Sequence, residues 1–246
     1  MGEAVQSCFK RHEKKYLLTG GQYQAMLAGM EAHMEADRYS RYSIFNIYYD
    51  TEDYRLISAS LEGPVYKEKL RVRSYGSVYG SGSVFVELKK KFDGVVYKRR
   101  VTAGAADAAR WLSGGKSPGD SQIHREIDWF IKSLRPVPKA FIGYEREAYA
   151  GKALPDLRVT FDTALRGRSA GLDLRCGGHG ALILPEESIL MEVKIPGAAP
   201  LWLASLLSAN EIFPVSFSKY GTYYRDFVLG GKTGEESLKK EVLKSA

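Results

Sequence analysis

The stretch "VYKEKLRVRSYG" (65–76) decides how the rest of the chain is read. Successive side chains of an extended backbone point to opposite faces. Lys67, Lys69, Arg71 and Arg73 therefore share one face, and Leu70 and Val72 share the other. The apolar face calls for a core. The opposite face lines up four cations without an intervening acid, and such a row needs either water or an anion beside it.

The same two-faced pattern recurs along the chain. Alternation, or enrichment in β-branched and aromatic residues, marks candidate strands at 8–18, 42–50, 65–75, 83–91, 95–102, 139–149, 156–162 and 188–195. Their ionic faces carry Arg11, Glu13 and Lys15; Glu87 and Lys89; Lys98 and Arg100; Tyr144 and Arg146; Arg158, Thr160 and Asp162; and Glu192 and Lys194. The Gly/Ser loop "GSVYGSGS" and the Asp-Gly of "FDGV" predict an antiparallel meander of the strands at 65–75, 83–91 and 95–102. Apolar residues at helical spacing, Tyr23, Met26, Leu27, Met30 and Met34, then Ile123, Ile127, Phe130 and Leu134, predict packing helices. A third helix is expected from Pro200 through Leu207.

The 246 residues, 44% hydrophobic and 26% charged, are ordinary for a folded protein, and one domain over 1–231 followed by a charged tail at 232–246 is the simplest division. A net charge of +7 points to an anionic partner: nucleic acid, a membrane surface or a phosphorylated small molecule. Two cysteines, Cys8 and Cys176, exclude a disulfide framework and suit a reducing cytoplasm. No apolar run approaches the ~20 residues of a membrane span. His12, His33, His124 and His179 lack zinc-ligand spacing, and no GxxxxGK[ST] phosphate loop is present.

Two arrangements of the ionic faces remain open. They face water in a two-layer α+β domain, or the eight strands close into a barrel with the helices outside and the charges within. In the barrel so many Arg and Lys outnumber the carboxylates that the interior has to hold water and an anion. Triphosphate suits such a lining, because Arg forks grip phosphate oxygens bidentately and Lys supplies a compact charge.

In order along the chain, "RHEKKY" (11–16), "YYD" (48–50), "KLRVRSYG" (69–76), "VELKK" (86–90), "YKRR" (97–100), "YERE" (144–147), "RVTFD" (158–162), "MEVK" (191–194) and "FSKY" (217–220) form a set. This set resembles the VTC-type polyphosphate polymerase domain, a branch of the CYTH-like triphosphate tunnel metalloenzymes. The resemblance implies an α+β fold built on a closed eight-stranded antiparallel β-barrel, the triphosphate tunnel, with helices packed outside. It implies that Lys15, Arg71, Arg73, Lys89, Lys98, Arg146, Arg158 and Lys219 line the tunnel, and that Lys194 tunes its charge. Arg11, Lys69, Arg100, Tyr144 and Ser218 fall in the same motifs as expected substrate contacts. Glu192 is the expected ligand of Mn²⁺ or Mg²⁺, with Glu13 and Glu87 as further metal or structural carboxylates, and Asp162 is read as bracing Arg158.

The implied reaction transfers the terminal phosphoryl group of ATP to a growing polyphosphate. Hydrolytic relatives open with an ExExK signature, and here Arg11 replaces the first acid, leaving Glu13 before Lys15. That departure favours polymerase over triphosphatase. An inorganic triphosphatase or polyphosphatase of the same fold is the alternative, as is a non-catalytic polyanion-binding module; nucleic acid is the weaker partner. A cytoplasmic location is expected, with regulation and any membrane association supplied by a separate membrane-protein partner.

Overall fold

The computed structural model describes residues 12–78, 82–93 and 95–231. Alternation turns into strands where it was expected: β1 (His12–Leu18), β2 (Met34–Asp50), β3 (Tyr66–Tyr75), β4 (Ser83–Phe92), β5 (Val95–Gly104), β6 (Val137–Gly151), β7 (Arg158–Arg168), the two-residue β8 (Ala181–Leu182) and β9 (Ile189–Ile195). Between them lie α1 (Gly20–Met30), α2 (Arg55–Leu61), α3 (Ala105–Leu112), α4 (Gln122–Leu134), α5 (Leu201–Ala209) and α6 (Lys219–Tyr223). Met34 opens β2 instead of ending the first helix, because α1 stops at Met30 and His33 N–H closes a turn onto the Met30 carbonyl at 2.9 Å. Its side chain still joins Met26 and Met30 in one core cluster. Among the described residues no helix is long and apolar enough to cross a membrane.

All strand pairs are antiparallel, in the order β1-β9-β7-β6-β2-β3-β4-β5, with β8 on the flank of β7. The sheet is strongly curled. β1 and β4 stand near opposite ends of this order, yet Lys89 on β4 comes within 3.8 Å of Glu13 on β1. Curling places two cores on the convex side: α3 and α4 cover Leu70, Val72, Val86 and Leu88, while α1 and α5 cover Val159, Phe161, Met191 and Val193. The apolar faces predicted from alternation are the ones these helices bury.

The expected closed barrel is not formed. Among the described residues β1 and β5 share no ladder, so the sheet remains open along one seam. The segment before α6 takes the edge that closure would use: Val215 N–H donates to the Lys15 carbonyl at 2.7 Å, and Lys15 Nζ donates to the Phe217 carbonyl at 2.8 Å. The concave side is also partly filled. Tyr220 of α6 stacks on Tyr48 with centroids 4.8 Å apart and donates its hydroxyl to buried Asp50 at 3.1 Å. Gly167 of β7 lies directly under the Tyr223 ring, so any β-carbon there would clash with the plug.

Candidate functional site

On the concave face, register builds the first half of the site around one carboxylate. Glu87 of β4 lies opposite Arg71 of β3 and Arg100 of β5, and is 1% exposed. Arg71 reaches it at 2.8 Å through Nε and 2.7 Å through Nη2, Arg100 at 2.6 Å through Nε, and Lys98 at 2.8 Å. Arg73 stands at 3.9 Å. Burial alone would raise the Glu87 pKa, but Arg71, Arg73, Lys98 and Arg100 outweigh it and hold the carboxyl far below its usual range. Neighbours on β2 and β6 then fix the forks. Arg71 donates to the Tyr48 hydroxyl at 3.1 Å; Arg73 donates to Asn46 Oδ1 at 3.0 Å and to the Tyr144 hydroxyl at 3.3 Å.

The second half joins β6, β7, β9 and α6. Arg146 and Asp162 are register partners and form a two-pronged pair at 2.6 and 2.7 Å. Ser218 caps α6, accepting from Gly221 N–H at 3.2 Å, and the helix thereby delivers Lys219 to Asp162 at 2.6 Å and to Glu192 at 2.8 Å. Arg146 also reaches Glu192 at 3.3 Å, and Tyr144 presents its ring to Lys219 at 4.6 Å and to Arg146 at 5.2 Å. Burial opposes the charge on Lys219, yet Asp162 and Glu192 lift its pKa above the ordinary value. For Glu192 burial is outweighed in turn by Lys219, Arg146, Lys15 and Lys194, which keep it ionised well below its usual range.

Asp162 thus braces Arg146 and Lys219 instead of Arg158. Four residues along a strand span about 13 Å, too far for an ion pair. Arg158 sits at the rim, about half exposed, 3.8 Å from Asp37.

Among the described residues a third group is only loosely compensated. Lys69 lies opposite Lys89, Lys89 opposite Lys98, and Lys67 opposite Lys91. Like charges directly opposed across a ladder repel. Lys15 and Lys89 approach Glu13 at 3.7 and 3.8 Å, and Lys15 approaches Glu192 at 3.9 Å, all beyond hydrogen-bond distance. Among the described residues Lys69 donates only to the Ser218 hydroxyl, at 3.0 Å. Burial first, then Lys15, Lys67, Lys89 and Arg71, bring its pKa down to about 7. Lys194 is lowered by burial, with Arg146 and Lys89 adding to that and Glu192 and Glu13 opposing it.

The structure therefore gathers Glu13, Lys15, Lys69, Arg71, Arg73, Glu87, Lys89, Lys98, Arg100, Tyr144, Arg146, Glu192, Lys194, Ser218 and Lys219 on one concave face. Arg11 lies outside the described residues. Asn46 and Tyr48 escaped the sequence reading. The signal was an amide inside the apolar run "SIFNIYY", since a polar group at a core position has to earn a partner. Thr160, 7% exposed and opposite Glu192, has a hydroxyl with no hydrogen-bond partner among the described residues.

A divalent ion fits this donor set in one way. Among the described residues no three His, Cys, Asp or Glu converge as a protein cage. Asp162, Glu87 and Glu192 are each held by cations. Glu13, about 30% exposed and loosely approached, is the carboxylate able to turn to a hard cation. Mg²⁺ and Mn²⁺ are commonly held by one or two carboxylates plus substrate phosphates. The residues fit an ion that arrives with its phosphates.

The chain belongs to the VTC domain family, whose profile matches residues 10–228. Its fold is shared with a putative adenylate cyclase from Bacillus halodurans, at 13% identity and a TM-score of 0.55, over 87% of this chain and 96% of that one. A putative adenylate cyclase from Vibrio parahaemolyticus aligns at 13% identity and a TM-score of 0.48 over 88% of this chain and 98% of that one. A putative adenylyl cyclase from Hippeastrum, described as having a dominant triphosphatase activity, aligns at 15% identity and 0.48 over 90% and 96%. No curated protein matches the chain in sequence.

Proposed function

We propose that this protein is a metal-dependent polyphosphate polymerase that moves the terminal phosphoryl group of ATP onto a polyphosphate chain lying along its concave face. The observation carrying this reading is the lysine-rich group Lys15, Lys67, Lys69, Lys89 and Lys91, whose cations outnumber the loosely approached carboxylates beside them, adjoining arginines already fixed in place by Glu87, Asn46 and Asp162. A single phosphate would be served by the arginines alone. A track of amino groups leading away from them suits a ligand with charge at every unit.

In this reading Arg71, Arg73 and Arg146 hold the oxygens of the transferring group, and Lys98, Lys194 and Lys219 balance the charge around it. A terminal oxygen of the chain attacks the γ-phosphorus in line. The new P–O bond forms as the bond from the γ-phosphorus to the bridging β-oxygen breaks, and ADP leaves with that oxygen. Phosphoryl transfer asks mainly for alignment and charge neutralisation, and rigid forks supply both. Lys69 takes up a proton as the anion arrives, because the new charge favours its ammonium form. Mn²⁺ or Mg²⁺, held by Glu13 with Glu192 beside it, supplies further neutralisation of the phosphates when bound.

The test is purified protein with ATP and Mn²⁺, followed by phosphorus NMR. Signals of internal chain phosphates are expected. Orthophosphate alone would assign a triphosphatase, and tripolyphosphate binding without turnover would assign a polyanion-binding module.

A further inference from the structure

The concave face ends differently at its two ends. On β3 the inward row begins with Lys67 and finishes with Tyr75. At the Lys67 end Lys91 stands opposite, and the exposed rings nearby, Tyr66 and Phe92, occupy the other face of the hairpin. At the Tyr75 end three rings from three strands meet: Tyr42 of β2, Tyr75 of β3 and Phe85 of β4. Tyr75 meets Tyr42 edge to face, with centroids 5.5 Å apart and planes at 73°, and Phe85 in the same manner at 5.8 Å and 77°. Tyr75 nevertheless remains 53% exposed, so much of its ring is open to a ligand.

These rings continue directly into the basic site. Phe85 is the register partner of Arg73 and carries the Arg100 guanidinium at 4.5 Å from its centroid. Tyr42 is the register partner of Arg146. Tyr75 lies two residues beyond Arg73 on the same face, about 6.7 Å along a strand, a separation of the order of one ribose. A phosphate on Arg73 would place whatever follows the ribose over Tyr75.

We propose that Tyr42, Tyr75 and Phe85 form a platform for the base of a purine nucleoside triphosphate. The base stacks on Tyr75, the triphosphate runs inward to Arg73 and Arg71, and the product chain leaves toward Lys67 and Lys91. This rests on the nucleotide-dependent reading above and adds to it a direction along the face. Stacking on a ring accepts any π-face and favours larger ones, so purine nucleotides are preferred over pyrimidine nucleotides without strict selection.

The experiment measures binding of ATP and of tripolyphosphate by calorimetry to the unaltered protein, Tyr75→Ala and Tyr75→Phe. Tyr75→Ala is expected to weaken ATP about 5- to 150-fold, the range that loss of one base–ring stack gives, with tripolyphosphate unchanged; Tyr75→Phe keeps both affinities. Equal weakening of both ligands, or no loss for ATP, overturns the platform. Failure of tripolyphosphate to bind the unaltered protein overturns the underlying reading as well. Should Tyr75→Ala not fold, hydroxyl-radical footprinting of the unaltered protein decides: ATP protects Tyr75 and tripolyphosphate leaves it open, whereas equal protection overturns the proposal.

Discussion

Glu87 and Lys69 occupy neighbouring strands of one curled sheet and meet opposite fates. Around Glu87 the cations Arg71, Lys98 and Arg100 are within hydrogen-bond distance and Arg73 is close by, so the carboxylate is fully met and the forks are held in place before any ligand arrives, with positive charge to spare. Around Lys69 the register sets lysine against lysine, and burial with neighbouring positive charge has already brought its pKa to about 7. The first region holds geometry; the second holds unspent attraction. A polyanion site needs both, because forks that wander grip nothing, and forks fully neutralised by carboxylates have little pull left.

Removing the acid gives the largest expected effect. Glu87→Gln leaves three arginines and a lysine facing one another, and a stability loss of about 3–5 kcal/mol is expected in denaturant titrations. An equal loss on Lys69→Met would erase the distinction between the regions. Lys69→Met is expected instead to leave ligand-free stability unchanged or raised, while weakening tripolyphosphate about 10- to 150-fold, the value of a charged hydrogen bond of about 1.5–3 kcal/mol.

The two regions should respond to pH in separate windows, with stability rising as pH rises in both. Glu87 and Glu192 have folded pKa values depressed below the unfolded one, so their contribution is complete above about pH 4.3 and is lost as pH falls through the lower folded values. Lys69 is also depressed, but in a base: the folded state binds fewer protons between about pH 7 and the ordinary lysine range, so ligand-free stability rises with pH across that window. Tripolyphosphate binding at pH 8 should then take up a proton, read as a dependence of calorimetric heat on the ionisation enthalpy of the buffer. No uptake would mean that Lys69 is not in the ligand's reach.

The smallest effect belongs to Thr160. Its hydroxyl has no partner among the described residues, so Thr160→Val is expected to shift stability by less than about 1 kcal/mol. If the hydroxyl serves a bound phosphate, tripolyphosphate affinity falls several-fold in the same variant; unchanged affinity would leave Thr160 out of the site.

Period-two alternation made most of this legible. It located the strands, assigned Leu70 and Val72 to the core, and put Lys69, Arg71 and Arg73 on a common face, because the pleat allows only two directions. Closure was not legible, since it depends on which segment reaches the edge of β1 first, and a loop 200 residues away wins through Val215. Nor could alternation show which ions pair. Asp162 and Arg158 share a face of one strand, but the partner of Asp162 is set by registers across two ladders and by the entry of Lys219 from α6. The family motifs located Lys219 where local pattern was silent, whereas Asn46 needed only the rule that a buried amide has to be satisfied.

The pairing of β1 with β9 sets the order in which this site can exist during synthesis. His12 pairs with Ile195, so within this sheet β1 has no ladder until nearly all of the other strands have been made. Lys219 follows later still, and before it arrives Asp162 and Glu192 share only Arg146. A nascent chain therefore carries an incomplete set of ion pairs. The ion-pair network around Asp162 is finished only when α6 brings its lysine into the trough.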